Sequence, residues 1–106
     1  MAKFVYLYSG GRMPESDAEQ VAVMKAWDAW FHRLGDAIVD PGSPFTPSLR
    51  HISSSGAVSS ESAGAVASGY TILQAESLDA AVQAGLDCPI LQAGGQITVH
   101  EVLPVM

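Results

Sequence analysis

The stretch that decides the fold runs from Ser68 to Val105 and reads SGYTILQAESLDAAVQAGLDCPILQAGGQITVHEVLPV. β-Branched and aromatic residues at 70–74 predict a strand. Ser77 is a suitable N-cap, and Pro89 cannot continue the helix that follows. The apolar stripe of this helix is predicted at Leu78, Ala81, Val82 and Gly85 or Leu86. Gly94-Gly95 indicates a turn, and alternation over 96–103 predicts a final strand.

The first part of the chain shows the same order of elements. Residues 2–9 predict a strand with Phe4, Tyr6 and Tyr8 on one face and apolar residues on the other, which is typical of a sheet covered on both sides. A helix follows, with Pro14 in its first turn and Gly35 at its end. Its stripe is predicted at Val23, Met24, Trp27, Trp30, Phe31 and Leu34. A short strand at 37–40 then ends at Pro41-Gly42.

The segment between these parts is rich in serine, glycine and proline. Residues 43–62 are predicted to be mainly loop, and whether this loop closes over a ligand stays open. Within it, residues 50–53 and 57–58 are compatible with a small hairpin around Ser55-Gly56. Residues 65–67 are expected to lead into the strand at Tyr70.

Two halves of this kind predict an α+β fold, a ferredoxin-like βαββαβ sandwich in one domain covering residues 1–106. Two helices cover one face of a four-stranded antiparallel sheet. The other face also carries apolar residues, and a second copy of the chain is the simplest cover. The expected partner is therefore the chain itself, as a homodimer.

Composition excludes several classes of function. The net charge of −6 and the scattered basic residues argue against nucleic acid or an anionic membrane as partner. One cysteine cannot form an internal disulfide, and the three histidines lack metal-ligand spacing, so neither a metal nor a cofactor is expected. No apolar run approaches ~20 residues and no signal-peptide pattern is present, so a cytoplasmic protein is expected.

Two segments, WDAWFHRLGDAIVDPGSPF and GYTILQAESLDAAVQAGLDCPILQAGGQITVHEV, resemble the YCII-related (DGPF-domain) family. The resemblance covers most of the chain and implies a dimeric α+β barrel, a dimer of ferredoxin-like units. Some members are suspected enzymes because of a His–Asp pair. In those members the Asp precedes the proline of the loop after the second helix, and the His lies on the first helix. Here Cys88 occupies the position before Pro89, and Asp87 lies one residue earlier. Lys25 or Ala26 falls near the position of the histidine on the first helix.

Two residues are candidates for acid–base catalysis. His32 has an imidazole suited to proton transfer, although a histidine at a helix end is ordinary. Asp40 could orient a histidine or a ligand, although an Asp before Pro-Gly also forms turns by bonding to its own backbone.

Four residues are candidates for substrate binding. Trp27 and Trp30 could form an aromatic wall, although aromatic residues at helical spacing are more often core. Tyr8 could present its phenol to a cleft, and Asp87 could supply an acid. Cys88 has no neighbouring base to activate it, and it is more readily interpreted as a small buried residue.

Two hypotheses remain open. In the first, the chain is a dimeric enzyme with a small-molecule pocket between the sheet and the first helix, working by acid–base chemistry on a small organic substrate. In the second, it is a non-catalytic ligand-binding or regulatory protein-interaction module. An ionisable pair converging in an apolar pocket would favour the enzyme.

Overall fold

A four-stranded antiparallel sheet forms the centre of the protein. The computed structural model describes residues 1–61, 64 and 66–104. The strands of this sheet are β1 (Ala2–Ser9), β2 (Ile38–Asp40), β5 (Ala67–Ala75) and β6 (Gln96–Glu101), in the order β2-β5-β1-β6. This is the ferredoxin-like order, with β1 and β5 in the middle, and it confirms the α+β fold class.

The helices lie in the two crossovers of this sheet. Helix α1 spans Asp17–Leu34 and continues into a short 3-10 turn, while α2 spans Leu78–Gly85 and α3 spans Pro89–Gln92. Ser77 caps α2 as predicted, accepting a hydrogen bond from the amide of Ala80. Pro14 does not lie in the first turn of α1. Ser16 caps that helix instead, since its hydroxyl accepts from the amide of Glu19.

The core lies between the sheet and the helices. Phe4, Tyr6 and Tyr8 of β1 point inward, as do Thr71 and Leu73 of β5. Helix α1 contributes mainly its second half to this core, through its aromatic residues and Leu34. The predicted stripe was therefore too long, because Val23 and Met24 in the first half are exposed.

The inward face of α2 also differs from the prediction. Ala81 and Gly85 are buried, whereas the larger residues of the stripe point outward: Leu78, Val82 and Leu86. The reason is the Tyr6 ring beneath the helix, because a Cβ at position 85 would lie 3.0 Å from the Tyr6 hydroxyl oxygen. Only small residues allow α2 to approach the ring so closely.

Two further strands form the predicted hairpin outside the main sheet. Strands β3 (His51–Ile52) and β4 (Val58–Ser59) pair with Ile52 opposite Val58, and both of these side chains are exposed. The predictions at Ser62, Ala65 and Val105 lie outside the described residues. Strand β6 ends at Glu101, two residues earlier than expected. None of the helices described is sufficiently long and apolar to span a bilayer.

Candidate functional site

A chain of hydrogen bonds crosses the core beneath the sheet. The Tyr8 hydroxyl donates to Thr71 Oγ1 at 2.7 Å, and the Thr71 hydroxyl donates to the Pro41 carbonyl at 2.9 Å. At the other end, Cys88 Sγ lies 4.0 Å from the Tyr8 oxygen as a weak donor. We call these four groups the buried relay. It links the loop between α2 and α3 to the turn that follows β2.

The Tyr8 hydroxyl and the Cys88 thiol stay protonated at neutral pH. Burial raises the pKa of the Tyr8 phenol far above its ordinary value, and burial raises the pKa of Cys88 to about 11. A protonated, buried thiol is a poor nucleophile. The structure therefore gives Cys88 a packing role. The Tyr8 phenol lies in the core and donates its hydroxyl hydrogen bond to Thr71 Oγ1.

The relay ends at a turn built around Asp40. Asp40 Oδ1 accepts from the Gly42 amide at 2.8 Å, which is the turn-forming interaction anticipated for this residue. Its other oxygen, Oδ2, accepts from the Tyr70 hydroxyl at 3.2 Å. This hydrogen bond raises the pKa of Tyr70. Gly42 has φ 75°, and a Cβ there would lie 1.8 Å from the Tyr70 carbonyl oxygen, so only glycine fits.

The structure does not bring the proposed catalytic pair together. His32 is exposed in the last turn of α1, and no hydrogen bond or ion pair between described residues joins it to Asp40. Asp87 is also exposed, and its carboxylate pairs with Arg33 at 2.5 Å. Asp87 therefore ties α1 to the loop after α2, far along the chain from the Asp40 turn.

Aromatic rings fill the space where a pocket was expected, between the sheet and α1. Trp30 is buried and donates its indole N–H to the Ala84 carbonyl at 3.2 Å. Trp27 is half-buried, with its ring edge-to-face on Tyr8 at a centroid distance of 5.5 Å. Phe31 packs against both indoles. In this protomer the two tryptophans extend the core, and only Trp27 reaches the surface.

An open groove of about 300 Å³ lies at the end of β1. It is lined by Ser9, Gly10, Val66, Gly94 and Gln96. None of these lining side chains is ionisable, so the groove offers shape and hydrogen bonds without an acid or a base. Among the described residues, no group of three His, Cys, Asp or Glu side chains is placed to hold a metal ion.

No helix or strand of the described residues covers the second face of the sheet. Its centre is apolar, and Leu7 of β1 and Val39 of β2 are 36% and 44% exposed. At one edge lies Asp40 of β2, bonded to Tyr70 on the neighbouring strand β5. The Phe45 ring is tilted against the Tyr70 ring at a centroid distance of 5.9 Å. At the opposite edge lies His100, which is exposed on β6. We call this surface the open sheet face.

Sequence reasoning missed three residues of these groups. Thr71 and Tyr70 were assigned only to a strand, and His100 was considered only as one of three histidines without metal-ligand spacing. The available signal was the alternation of β5, which separates Thr71 and Tyr70 onto opposite faces. The strand register was needed to identify their partners.

The fold has a counterpart among solved structures. No family model and no curated protein sequence matches the chain. The chain is similar in structure to 5-chloro-2-hydroxyhydroquinone dehydrochlorinase from Burkholderia phenoliruptrix AC1100, solved in complex with 2,5-dihydroxybenzoquinone. The two chains are 22% identical, the match covers 92% of this chain and 90% of the other, and the TM-score is 0.54. At this identity the comparison shows a shared fold.

Proposed function

We propose that this chain is a YCII-related homodimer that binds a small organic molecule at its open sheet face. The observation that carries the proposal is the composition of that face. An apolar centre is bordered by a carboxylate, a phenol and an imidazole, as in many small-molecule sites. Two such faces packed together bury the apolar centre and leave the polar groups at the border.

The single protomer supports binding more than catalysis. The ionisable pair expected for an acid–base enzyme, His32 with Asp40, is not assembled in the described part of the chain. A hydroxylated ring suits the face nonetheless, because Asp40 and Tyr70 can hydrogen-bond to hydroxyl groups while Phe45 and Leu7 contact the ring. The ligand in the similar structure, 2,5-dihydroxybenzoquinone, provides a concrete probe of this chemistry.

The test is a calorimetric titration of the protein with 2,5-dihydroxybenzoquinone. We expect saturable binding that Tyr70→Phe weakens, because this variant removes one hydroxyl and keeps the ring. Leu91→Ala, on the helical side of the sheet, is the matched control and should bind as the original chain does. Absence of saturable binding, or equal binding by Tyr70→Phe, would contradict the proposal.

The catalytic alternative has its own test. If the protein is an acid–base enzyme that uses His32, the His32→Gln variant should lose the activity detected for the original chain. Unchanged activity in that variant would remove His32 as the base and leave the binding function.

A further inference from the structure

A carboxylate and an imidazole occupy the two edges of the open sheet face at the same height along the strands. The register pairs Asp40 with Ile72, Ile72 with Val5, and Val5 with His100. These four residues therefore form one row across β2, β5, β1 and β6. Three strand spacings separate Asp40 from His100, a distance of about 14 Å, so they cannot touch within one protomer.

The position of the two-fold axis decides what each edge meets in a sheet-to-sheet dimer. An axis parallel to the strands carries β2 of one protomer over β6 of the other and keeps each row at its own height. An axis perpendicular to the strands, through the same row, carries β2 over β2 and β6 over β6. Both arrangements keep the strands of the two sheets aligned.

Charge and apolar contacts distinguish the two arrangements. With the axis along the strands, Asp40 faces His100 at both ends of the row, and Val5 faces Ile72 in the middle. In the row beside it, Leu7 faces the Tyr70 ring. With the perpendicular axis, two Asp40 carboxylates face one another, and like charges across an interface are unfavourable.

The remaining charged groups near His100 do not change this comparison. Glu101 points to the other face of β6, toward the helices. Lys3 lies on the open face of β1, where it pairs with Gln74 of β5. Within its own protomer Lys3 is the diagonal neighbour of His100 on the adjacent strand, and this relation is the same with either axis. With the axis along the strands, Lys3 meets Gln74 of the second protomer.

We propose that the homodimer packs with its two-fold axis along the strands, and that this packing completes two identical composite sites. Each site joins the Asp40 carboxylate and the Tyr70 phenol of one protomer to the His100 imidazole of the other. This inference rests on the proposed dimer and names the residues of its ligand site. A carboxylate, a phenol and an imidazole around an apolar surface suit a small molecule with a weakly acidic phenol or enol hydroxyl.

The test is a double-mutant cycle on dimer dissociation, measured by sedimentation equilibrium at pH 6. Asp40→Asn keeps the acceptor for the Gly42 amide and removes the charge. We expect Asp40→Asn and His100→Gln each to raise the dimer dissociation constant about fivefold, and the double variant to raise it no further. His51→Gln, on the separate hairpin, is the matched control and should leave the dissociation constant unchanged.

Charge changes at position 100 test the axis without altering the Asp40 turn. His100→Lys should leave the dimer as tight or tighter, and His100→Glu should weaken it. The perpendicular axis makes the opposite prediction for His100→Lys, because two lysines would then face one another. It also predicts that Asp40→Asn tightens the dimer.

The outcomes separate this inference from the proposed function. A monomer at all concentrations overturns both. A dimer in which positions 40 and 100 show no coupling overturns the composite site and leaves ligand binding to be judged by the titration with 2,5-dihydroxybenzoquinone. Coupling without binding of that probe supports the composite site and contradicts the ligand assignment.

Discussion

The buried relay makes a quantitative prediction about stability. Thr71 Oγ1 is both the acceptor for Tyr8 and the donor to the Pro41 carbonyl, and the Thr71 side chain is fully buried. Thr71→Val keeps the shape and removes both hydrogen bonds. It leaves the buried Tyr8 hydroxyl without a strong acceptor, and we expect a loss of about 2–3 kcal/mol in the free energy of unfolding.

Tyr8→Phe should cost less, because Thr71 keeps its bond to the Pro41 carbonyl. The loss of one hydrogen bond predicts about 1 kcal/mol. The double variant has no stranded Tyr8 hydroxyl, so it should be about 1 kcal/mol more stable than the sum of the two single losses implies.

The assay is urea unfolding followed by tryptophan fluorescence, at one fixed protein concentration because dimerisation would add to the apparent stability. Equal slopes against urea are needed for the comparison. Strict additivity of the two losses, or a Thr71→Val loss below about 0.5 kcal/mol, would refute the relay as a coupled unit.

Three further predictions concern single positions. Gly42→Ala should lower the free energy of unfolding by more than about 2 kcal/mol, because its Cβ would overlap the Tyr70 carbonyl. Gly56→Ala is the control, since Gly56 also has a positive φ but has nothing within 4 Å of the added Cβ, and it should cost only about 1 kcal/mol. Equal losses on thermal unfolding would contradict this. The Cys88 thiol, whose pKa rises from 9.0 to about 11 on folding, should make stability fall as pH rises above 9, by up to about 1.4 kcal/mol per pH unit, and Cys88→Ala should remove that part of the slope in urea titrations. Trp30→Phe should cost about 2–3 kcal/mol, since it leaves a cavity and removes the indole hydrogen bond, and a loss under about 1 kcal/mol on urea unfolding would argue against its burial.

The local sequence was sufficient to predict most of the regular structure. Ser77 before an apolar helix and the alternation along β1 are signals contained within a few residues, and the structure has the corresponding cap and strand. Pro89 does not continue α2, as predicted, but α2 already ends at Gly85 and Pro89 is the first residue of α3. The turn at Asp40 was predicted for the same reason, since a side chain that bonds two residues ahead depends only on its neighbours.

The sequence by itself therefore determined the α+β fold class, the two crossovers and an apolar second face that needs a cover. Tertiary structure decided which side of α2 turns inward, because the Tyr6 ring beneath that helix comes from a strand 75 residues earlier in the chain. It also joined Tyr8 to Thr71, and it aligned Asp40 with His100 across four strands. These relations depend on strand register and on the distance between elements, and no local pattern of residues encodes either.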